Sequence, residues 1–523
     1  MRKQSVMRFL WVFFGALLTA LPLLVPQIGF FSWVGMIPLI HGAVLVCKRE
    51  ECTRRAAFGT GFVAGFVFYF AVFHWLVYLI DSMQSVDMTK GEAVAVVLAG
   101  WIGVPALYGI LSGLLFLLFR AMHKTGIFAK IPLLRPFAFA ALWTGYEWLT
   151  SQTWMGVPWG RLALGQVDMR PMLWLSSVFG SYAVTFLIVL VNALIVEIVH
   201  TPKKTVLCGI LAASFFVGNI GCGLIWLNCN PQTSKEVQAA VLQGNIGVNQ
   251  KWDEDGDGDF ETYVKLTRAA AEDGAKLIVW PETALPYTMD TVTLQTLTAL
   301  SRETGADLIV GAFYQEDYNA LYFVDHEQGF SETIYLKRHL VPFGEYVPWR
   351  PVFETVYPPL AELSFLNSLA GESSNLFESE WGKIGSLICF DSIYDQLATA
   401  SARDGAELLV ISSNDSWFYD SAAVYQHNAQ AKLRAVETGK WVLRSANTGI
   451  SSVTTPKGET VAELPPLTAG YLVQTVEMVP AKTIYSYIGN LFVYLCLAFS
   501  AGILAAGWSW CHWFPLKNKN EDG

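Results

Sequence analysis

The stretch "GKIGSLICFDSIYD" at residues 382–395 is an apolar run that ends at Cys389 and is followed two positions later by Asp391. A short run that is apolar on both faces is typical of a strand in a buried sheet. No other cysteine occurs between about residues 235 and 480. A largely polar region therefore places its single thiol at the end of a predicted buried strand, either as an inert small hydrophobe or as a reactive group.

The chain as a whole is too apolar for an ordinary soluble enzyme, since 53% of its 523 residues are hydrophobic and only 15% are charged. A membrane-spanning helix needs about 20 consecutive apolar residues. We predict eight such helices, of which the fifth is short and includes Glu147, at 7–25, 28–47, 57–80, 92–119, 133–149, 172–198, 204–227 and 485–509. The prediction divides the chain into helices 1 to 7 (residues 1–230), an α/β domain (231–482) and helix 8 with a tail (483–523).

The distribution of basic residues predicts the orientation, because cytoplasmic loops accumulate Lys and Arg. The N-terminus, alternate loops and the C-terminus carry Arg2, Lys3, Arg8, Lys48, Arg49, Arg54, Arg55, Arg120, Lys124, Lys130, Arg135, Lys203, Lys204, Lys517 and Lys519. The intervening loops carry only Lys90, Arg161 and Arg170. Both termini are therefore predicted to be cytoplasmic, and the α/β domain is predicted to lie outside the cytoplasm. An oxidising compartment favours disulfides, so the unpaired thiol of Cys389 needs an explanation unless Cys229 can reach it to form one.

Strand-like and helix-like runs alternate in the polar region, which is typical of an α/β fold with buried sheets. The predicted strands are 237–246, 275–282, 306–314, 383–390, 406–415 and 471–478. The predicted helices are 259–273, 291–304, 394–404 and 421–438.

Three of the predicted strands end in residues that can do chemistry. These residues are Glu282, Cys389 and the Asn414–Asp415 pair, and the segment 334–348 between them supplies Lys337 and Glu345. Because ligands bind at the carboxyl ends of strands in α/β sheets, we expect a carboxylate, an ammonium group and a thiol to converge there.

These groups form a coherent set for nucleophilic catalysis. Glu282 can act as a general base toward the Cys389 thiol, and Lys337 can stabilise the thiolate and a later oxyanion. The product of such an attack is a covalent thioester. A Cys–His pair is the commoner arrangement, but the histidines of this region, His326, His339 and His427, do not end strands in this way. No H-E-x-x-H metal motif is present.

Several uncommon motifs resemble the nitrilase superfamily, and in particular its membrane-embedded family, the apolipoprotein N-acyltransferases. The motifs of the polar region are "QGNI" (243–246), "KWD" (251–253), "WPETALP" (280–286), "FGEYVP" (343–348), "NDSWF" (414–418) and "LRAVETGKWVLRSANTGIS" (433–451). The apolar region adds "ALWTGYEWL" (141–149) and "GVPWG" (156–160). The resemblance covers nearly the whole chain and follows the order of the family's motifs.

The resemblance implies a role for individual residues. Glu282 matches the general base of the family, Lys337 its catalytic lysine and Cys389 its nucleophile. Glu345 matches a supporting acidic residue, and the aromatic residues expected near the substrate are Trp252 and Trp417.

The resemblance also implies a fold and a reaction. The fold is a polytopic α-helical membrane domain joined to an α-β-β-α sandwich. The reaction moves an acyl chain from a phospholipid to the α-amino group of a diacylglyceryl-cysteine on an apolipoprotein, at the periplasmic side of a bacterial inner membrane. The expected partners are the phospholipid donor, the diacylated acceptor and membrane lipid. No cofactor, metal ion or nucleic acid is expected, and the chain is expected to be a monomer.

This sequence departs from the family pattern directly after the nucleophile. The family usually has Cys-Tyr-Glu, whereas this chain has Cys389, Phe390 and Asp391. Glycine usually follows the "NDxWF" motif, where this chain has Tyr419. All three residues of the expected triad remain, so these changes are expected to affect rate and substrate preference more than the type of reaction.

The apolar, proline-rich segment 347–369 is a candidate for a mobile gate that touches lipid, because exposed aromatic side chains are stabilised at a membrane surface. Its proposed contacts are Trp349 and Phe353. The acidic stretch 252–264 has the D-x-D-x-D-G order of a calcium loop, but Val264 stands where the bidentate Glu belongs, so a solvated loop is favoured.

Other interpretations of the whole chain remain open at this point. A transporter or receptor would need ionisable residues along several helices, and Glu147 is nearly the only one. That glutamate is either a partner of Arg161 or a residue at headgroup level. A membrane-tethered amidase would use the same triad, although one anchoring helix would be enough for it.

Overall fold

The computed structural model describes residues 2–83, 89–152, 156–247, 257–356 and 367–513. The helices before the sheet region are Arg2–Leu24, Ser32–Gly35, Ile37–Cys47, Arg54–Val72, Leu79–Ser82, Lys90–Lys124, Ile127–Lys130, Leu134–Leu149, Trp174–Phe179, Ser181–His200 and Thr205–Leu227. Those within it are Asp257–Glu272, Thr291–Thr304, Arg350–Val356, Asp395–Asp404 and Ala422–Thr438, and Ile484–Ile488 and Leu491–Trp513 follow. The chain therefore consists of a helical part, a mixed α/β part and a final long helix.

Seven helical spans of the described residues are long and apolar enough to cross a membrane. The predicted fifth span instead forms the helix Leu134–Leu149, whose 16 residues reach only about 24 Å at 1.5 Å per residue. This helix is buried along most of its length and packs against Ser181–His200 and Leu491–Trp513. Because neighbouring helices cover it, it does not need the length of a lipid-exposed span, and eight spanning helices are not confirmed.

Glu147 lies near the end of this buried helix and does not pair with Arg161. Its carboxylate accepts hydrogen bonds from Trp143 Nε1 at 3.2 Å, Leu162 N at 3.0 Å and Thr185 Oγ1 at 2.7 Å. Of the two alternatives for Glu147, the ion pair with Arg161 is therefore not the one that the structure contains. The carboxylate is buried because three donors of the surrounding helices and loop satisfy it.

The described residues of the α/β part contain thirteen strands, numbered β1 to β13 in chain order. They are Glu236–Gln243, Leu277–Val279, Leu285–Thr288, Asp307–Tyr314, Tyr318–Asp325, Gly329–Leu336, Phe377–Glu378, Lys383–Ile388, Leu408–Ser413, Trp441–Ala446, Ser451–Thr454, Thr460–Leu464 and Gly470–Glu477. One sheet has the order β13-β1-β2-β4-β5-β6, with β3 beside β4, and the other has the order β12-β11-β10-β9-β8-β7. In each sheet three central strands are parallel, and antiparallel strands extend both edges.

The two sheets pack face to face, because alternate apolar residues of their central strands point to opposite sides. Val279 and Ile309 of the first sheet share a buried cluster with Ile388 and Val410 of the second. The opposite face of the first sheet packs against the helices Asp257–Glu272 and Thr291–Thr304, and that of the second against Asp395–Asp404 and Ala422–Thr438. The result is the expected α-β-β-α sandwich.

Local capping signals define the ends of the sandwich helices. Asp290 accepts a hydrogen bond from Thr293 N at 2.8 Å at the start of Thr291–Thr304, and Ser421 accepts one from Ala423 N at 3.4 Å at the start of Ala422–Thr438. Both helices end at a glycine in the left-handed conformation, Gly305 and Gly439, which places the following strand back in its sheet.

All six predicted strands and all four predicted helices of this part are present, within a few residues of the predicted bounds. Seven further strands, β3, β5, β6, β7, β10, β11 and β12, were not predicted. Most are short or antiparallel, and β6 and β12 are only partly buried. Strands that alternate apolar and polar residues, or that span only two to five residues, have a weaker sequence pattern than the buried parallel strands.

The helical part and the sandwich share a continuous interface. Phe390, Ile393 and Tyr394 of the sandwich belong to the same apolar cluster as Trp159 and Leu173. At its centre the buried guanidinium of Arg161 donates to Asp395 Oδ1 at 3.0 Å, and it lies 3.9 Å from the Glu437 carboxylate. Ser181 Oγ and Tyr182 OH accept two further hydrogen bonds from it, each at 2.7 Å. A charged residue outside the sheets thus anchors two carboxylates of the sandwich.

We predict that Arg161→Ala lowers the free energy of unfolding by about 3–5 kcal/mol, because it leaves Asp395 and Glu437 buried without this partner. Lys432→Ala is the matched control, since Lys432 pairs at 3.0 Å with Asp168, whose side chain is 48% exposed, and such a pair is worth about 0–1 kcal/mol. Thermal and urea unfolding of both variants in detergent would measure the difference. Equal losses would mean that the Arg161 network does not stabilise the interface.

Candidate active site

The predicted nucleophile lies at a sharp turn between β8 and a short 3₁₀ turn that covers Cys389–Ile393. Cys389 has a φ of +46°, in the left-handed region that side chains other than glycine rarely adopt. Its side chain is partly exposed, whereas Phe390, Asp391 and Ser392 are buried. The strand therefore presents the thiol at its carboxyl end, in a conformation that the surrounding contacts must maintain.

Glu282 follows β2 by three residues, and its carboxylate is buried. Oε1 accepts hydrogen bonds from Asn319 Nδ2 at 2.7 Å and Lys337 Nζ at 2.9 Å, and Oε2 accepts one from the backbone N–H of Asn414 at 2.8 Å. Asn414 directly follows β9 of the second sheet. This carboxylate thus connects the carboxyl ends of strands from both sheets.

Lys337 follows β6 and is buried between two carboxylates. Its Nζ lies 2.9 Å from Glu282 Oε1 and 2.7 Å from Glu345 Oε1. Burial by itself would lower the pKa of the ammonium group, but Glu282 and Glu345 outweigh it and hold the pKa well above its usual range. Lys337 is therefore a permanent cation at neutral pH.

Glu345 completes the ion-pair cluster. Its Oε1 contacts Lys337, and its Oε2 accepts a hydrogen bond from the backbone N–H of Val341 at 2.8 Å. Burial and the charge of Glu282 raise the pKa of this carboxyl, while Lys337 opposes the rise. Two carboxylates and one ammonium group leave the cluster with one excess negative charge when both acids are ionised.

The thiol of Cys389 interacts electrostatically with both Glu282 and Lys337, so the structure brings the three predicted residues together. Burial raises the pKa of the thiol, the Glu282 carboxylate raises it further, and Lys337 opposes both. The raised pKa favours the protonated thiol, which a general base would have to activate before it attacks.

Asp391 supports the site without facing the thiol. Its buried carboxylate accepts hydrogen bonds from the backbone N–H groups of Ile388 at 3.1 Å, His339 at 2.7 Å and Arg338 at 3.2 Å, and from Tyr335 OH at 2.8 Å. Burial raises the pKa of this carboxyl against the charge of Arg338. The Asp391 side chain therefore connects the turn at residues 389–393, called the nucleophile turn below, to the segment that carries Lys337.

Phe390 points into the interface with the membrane helices. Its ring lies 5.5 Å from that of Tyr394, edge to face, and 6.1 Å from that of His339. It belongs to the apolar cluster that includes residues of the helical part. Phe390 and Asp391, the two departures from the family pattern that directly follow Cys389, are thus packing and hydrogen-bonding residues, and their effect on rate and substrate preference stays a prediction.

The residues proposed to contact substrate are less completely described. Trp417 is half-buried, and its carbonyl accepts a hydrogen bond from Ser82 Oγ at 3.0 Å, so its loop touches the helical part. Trp349 is 62% exposed and has a φ of +48°. Trp252 and the side chain of Phe353 lie outside the described residues, as do residues 252–256 of the acidic stretch. Residues 357–366 of the proposed gate also lie outside them.

A histidine that was not predicted lies close to the nucleophile. His427, on the helix Ala422–Thr438, has its Nε2 3.2 Å from the Cys389 carbonyl oxygen and its Nδ1 2.9 Å from Asp415 Oδ1. Arg444 donates to Asp415 Oδ2 at 2.6 Å. His427 does not follow a predicted strand, because it approaches from a helix that packs outside the second sheet. Its only signal in the sequence is its position between two matching motifs, "NDSWF" and "LRAVETGKWVLRSANTGIS".

Within the described part of the chain, two groups of side chains have the donor types of a metal site. The ligand atoms of Cys389, Asp415 and His427 lie within 4.8 Å of one another, but Asp415 already pairs with Arg444 and His427. The second group, Asp307, Asp325 and His326, lies where β4 begins and β5 ends, away from the carboxyl ends of β2 and β8.

Comparison with known proteins matches both parts of the chain. Residues 238–484 match the carbon-nitrogen hydrolase family, and residues 15–194 match the apolipoprotein N-acyltransferase N-terminal domain. The chain is 29% identical over 521 residues to the apolipoprotein N-acyltransferase of Geobacter metallireducens, covering 95% of this chain and 94% of that protein. It is 31% identical over 504 residues to the apolipoprotein N-acyltransferase of Gloeobacter violaceus, covering 94% and 92%.

A solved structure is also similar to part of the chain. Nit3 of Saccharomyces cerevisiae, a member of branch 10 of the nitrilase superfamily, covers 55% of this chain and 98% of its own, with 17% identity and a TM-score of 0.37.

We predict that alkylation of Cys389 by iodoacetamide continues to accelerate as the pH rises past the ordinary thiol pKa of about 8.5, instead of levelling off there. The reason is that burial and Glu282 raise the pKa of this thiol, so that the fraction of reactive thiolate still increases above that pH. Peptide mass spectrometry would follow the reaction, with exposed Cys229 in the same sample as a reference for the reagent. A plateau reached below about pH 8 would show instead that the resting site holds a thiolate–lysine ion pair.

Proposed function

Because the chain belongs to the apolipoprotein N-acyltransferase family, we propose that it transfers an acyl chain from a membrane phospholipid to the α-amino group of the N-terminal diacylglyceryl-cysteine of apolipoproteins. The observation that supports this most directly is the buried cluster in which Lys337 joins Glu282 and Glu345 beside the Cys389 thiol. This set of groups can form and break a thioester without a metal ion or an organic cofactor.

The first half-reaction acylates the enzyme. Glu282 removes the proton from the Cys389 thiol, and the sulfur attacks the carbonyl carbon of a phospholipid ester. Lys337, held cationic by two carboxylates, stabilises the negative charge that develops on the carbonyl oxygen. The ester C–O bond then breaks, Glu282 returns the proton to the leaving alkoxide, and a lysophospholipid departs from the thioester.

The second half-reaction uses the same groups on the acceptor. The α-amino nitrogen attacks the thioester carbonyl, Glu282 takes a proton from the nitrogen, and Lys337 again stabilises the oxyanion. The C–S bond breaks, an amide forms, and the thiolate of Cys389 regains its proton from Glu282. The donor leaves before the acceptor reacts, so the mechanism is ping-pong.

Glu345 has a supporting role in this scheme. Its Oε1 contacts Lys337, and its Oε2 accepts a hydrogen bond from the backbone N–H of Val341. Among the described residues, no hydrogen bond joins this carboxylate to the thiol. Its charge keeps Lys337 protonated and directs its Nζ. Asp391 and Phe390 act further from the reacting atoms by maintaining the turn and its apolar support.

The sandwich is built against the helices that would present lipid. The Trp417 loop touches the residues before Lys90–Lys124, and Trp349 is exposed at the start of the segment 347–369. We propose that this segment, with Trp349 and Phe353, contacts lipid and covers the site between half-reactions. Trp252 and Trp417 are proposed to contact substrate. Covering the site would protect the thioester from water, which would otherwise release a fatty acid.

The family and the apolar helices make the chain a bacterial membrane protein. We propose that it is a monomer in the inner membrane, with residues 1–230 and 483–523 as its membrane and cytoplasmic parts and 231–482 as a periplasmic catalytic domain. The alternation of basic loops supports this orientation, and both termini are then cytoplasmic.

Three variants test the chemistry with the full-length protein in phospholipid–detergent micelles. Cys389→Ala is expected to abolish the acyl mass on the peptide that contains residue 389, because the nucleophile is absent. Glu282→Gln keeps the thiol but is expected to slow its acylation by at least about 100-fold, the usual cost of losing a general base. Lys337→Met is expected to abolish turnover, since it removes the positive charge that stabilises the oxyanion.

Intact and peptide mass spectrometry would measure the acyl-enzyme, and conversion of a synthetic diacylated lipopeptide would measure transfer. Transfer by Cys389→Ala at an appreciable rate would exclude the mechanism, and intersecting instead of parallel double-reciprocal lines would exclude the ping-pong order. Release of fatty acid from the wild-type thioester, without transfer to the lipopeptide, would identify a hydrolase.

The orientation is tested by fusing a reporter enzyme that is active only outside the cytoplasm. We expect activity when the fusion follows residue 300, within the sandwich, and none when it follows residue 523, because the two positions lie on opposite sides of the membrane. A cytoplasmically active reporter at the same positions serves as the control and is expected to give the reverse pattern. Activity of the first reporter at 523 alone would invert the proposed topology.

A further inference from the structure

The carbonyl group of Cys389 is bound by two side chains that the proposed reaction does not use. Ser392 Oγ donates to this carbonyl oxygen at 2.7 Å, and His427 Nε2 lies 3.2 Å from it. The same Nε2 is 3.0 Å from Ser392 Oγ. These contacts surround the peptide group that follows the left-handed Cys389, where a change in the backbone would redirect the thiol.

His427 is itself held from the opposite edge of its ring. Nδ1 lies 2.9 Å from Asp415 Oδ1, and Arg444 donates to Asp415 Oδ2 at 2.6 Å. His427, Asp415 and Arg444 are all buried. Burial opposes ionisation of the Asp415 carboxyl, but Arg444 and His427 hold its pKa well below its usual range. The imidazole thus spans a fixed distance between a charged anchor in the sandwich and the carbonyl of the nucleophile.

The helix that carries His427 is also bound by the helical part of the chain. Neighbouring Gln426 accepts a hydrogen bond from Trp75 Nε1 at 3.1 Å, and Gln430, about one turn further on, donates to Pro158 O at 3.0 Å. The ring of Trp159 lies 5.5 Å from that of His427. The position of the imidazole therefore depends on the membrane helices as well as on the sandwich.

We propose that His427 is a positioning residue for Cys389, whose Nε2 donates to the Cys389 carbonyl and holds the nucleophile turn in the conformation that directs the thiol toward Glu282 and Lys337. This inference rests on the proposed role of Cys389 as the nucleophile. Each ring nitrogen of His427 has partners other than the thiol: Asp415 and Arg444 lie at Nδ1, and the carbonyl and hydroxyl groups of the turn lie at Nε2.

The two edges of the ring can be tested separately. In His427→Gln the side-chain amide nitrogen can take the place of Nε2 and still donate to the Cys389 carbonyl. In His427→Asn the shorter amide takes the place of Nδ1 and keeps only the contact with Asp415. We expect acylation of Cys389 to be slowed less than about tenfold in His427→Gln and by roughly tenfold to a hundredfold in His427→Asn, the range expected when one buried hydrogen bond is lost.

The measurement is the single-turnover rate of acyl-enzyme formation on full-length protein in phospholipid–detergent micelles, at several phospholipid concentrations. His427 contacts no substrate in this scheme, so the maximal rate is expected to fall while the half-saturating phospholipid concentration stays the same. His326→Gln and His326→Asn are the matched controls. His326 pairs with buried Asp307 at 2.8 Å near the start of β4, and both variants are expected to acylate at the wild-type rate.

The outcomes separate this inference from the proposed function. Absence of a thioester on wild-type Cys389 would overturn both. A wild-type thioester together with equal rates in the two His427 variants, a faster Asn than Gln variant, or a change in half-saturation alone would overturn the positioning role only. If neither His427 variant folds, Ser392→Ala decides the question: slower acylation supports the role of the carbonyl contacts, and an unchanged rate refutes it.

Discussion

The turn that carries Cys389 is the constraint on which the rest of the structure depends. Each of the residues 389–395 except Phe390 uses a side chain or its carbonyl in a hydrogen bond to a distant element, and Phe390 packs in the interface. Asp391 connects the turn to the segment after Lys337, Tyr394 OH donates to the Gly156 carbonyl at 2.5 Å, and Asp395 pairs with Arg161. A residue in the left-handed conformation persists only when its surroundings determine it so completely. Here those surroundings come from both sheets and from the helices.

The charge arrangement at the site follows from the same burial. A buried ammonium group is stable only with anionic partners, and Lys337 has two. In the proposed mechanism Glu282 has two tasks, stabilising this cation and accepting a proton from the thiol. Glu345 makes the two tasks compatible in that scheme, because Lys337 would retain a carboxylate partner after protonation of Glu282. The thiol, whose pKa is raised by burial and by Glu282, would need the base only at the moment of attack.

Polar contacts lie at the centre of the interface between the sandwich and the helices, whereas packing alone would need only apolar side chains there. Arg161 and Asp395, Gln430 and the Pro158 carbonyl, and Ser82 and the Trp417 carbonyl all cross it. Such directional contacts determine how the sandwich is oriented relative to the membrane, whereas apolar packing alone would allow sliding. For a proposed reaction between two lipid-anchored substrates, a fixed orientation keeps the thioester within reach of both.

The sequence by itself determined the apolar spans, the buried parallel strands and the convergence of Glu282, Lys337 and Cys389. These features are local: span length, continuous apolar runs and the residue that follows each strand can be read from a short window. The roles proposed for these three residues come from their chemistry and from the family resemblance together. What the sequence did not provide was the set of partners that hold them.

Only the tertiary structure decided that Arg161 pairs with Asp395 and not with Glu147, that Asp391 supports the turn through the backbone after Lys337, and that His427 lies against the Cys389 carbonyl. It also decided that the helix Leu134–Leu149 is covered by its neighbours. The three side-chain contacts join residues that lie 38 to 234 positions apart in the chain. The physical reason is that a hydrogen bond or ion pair depends on where two backbones meet in space, and hydrophobic periodicity along one segment carries no information about the segment that will meet it.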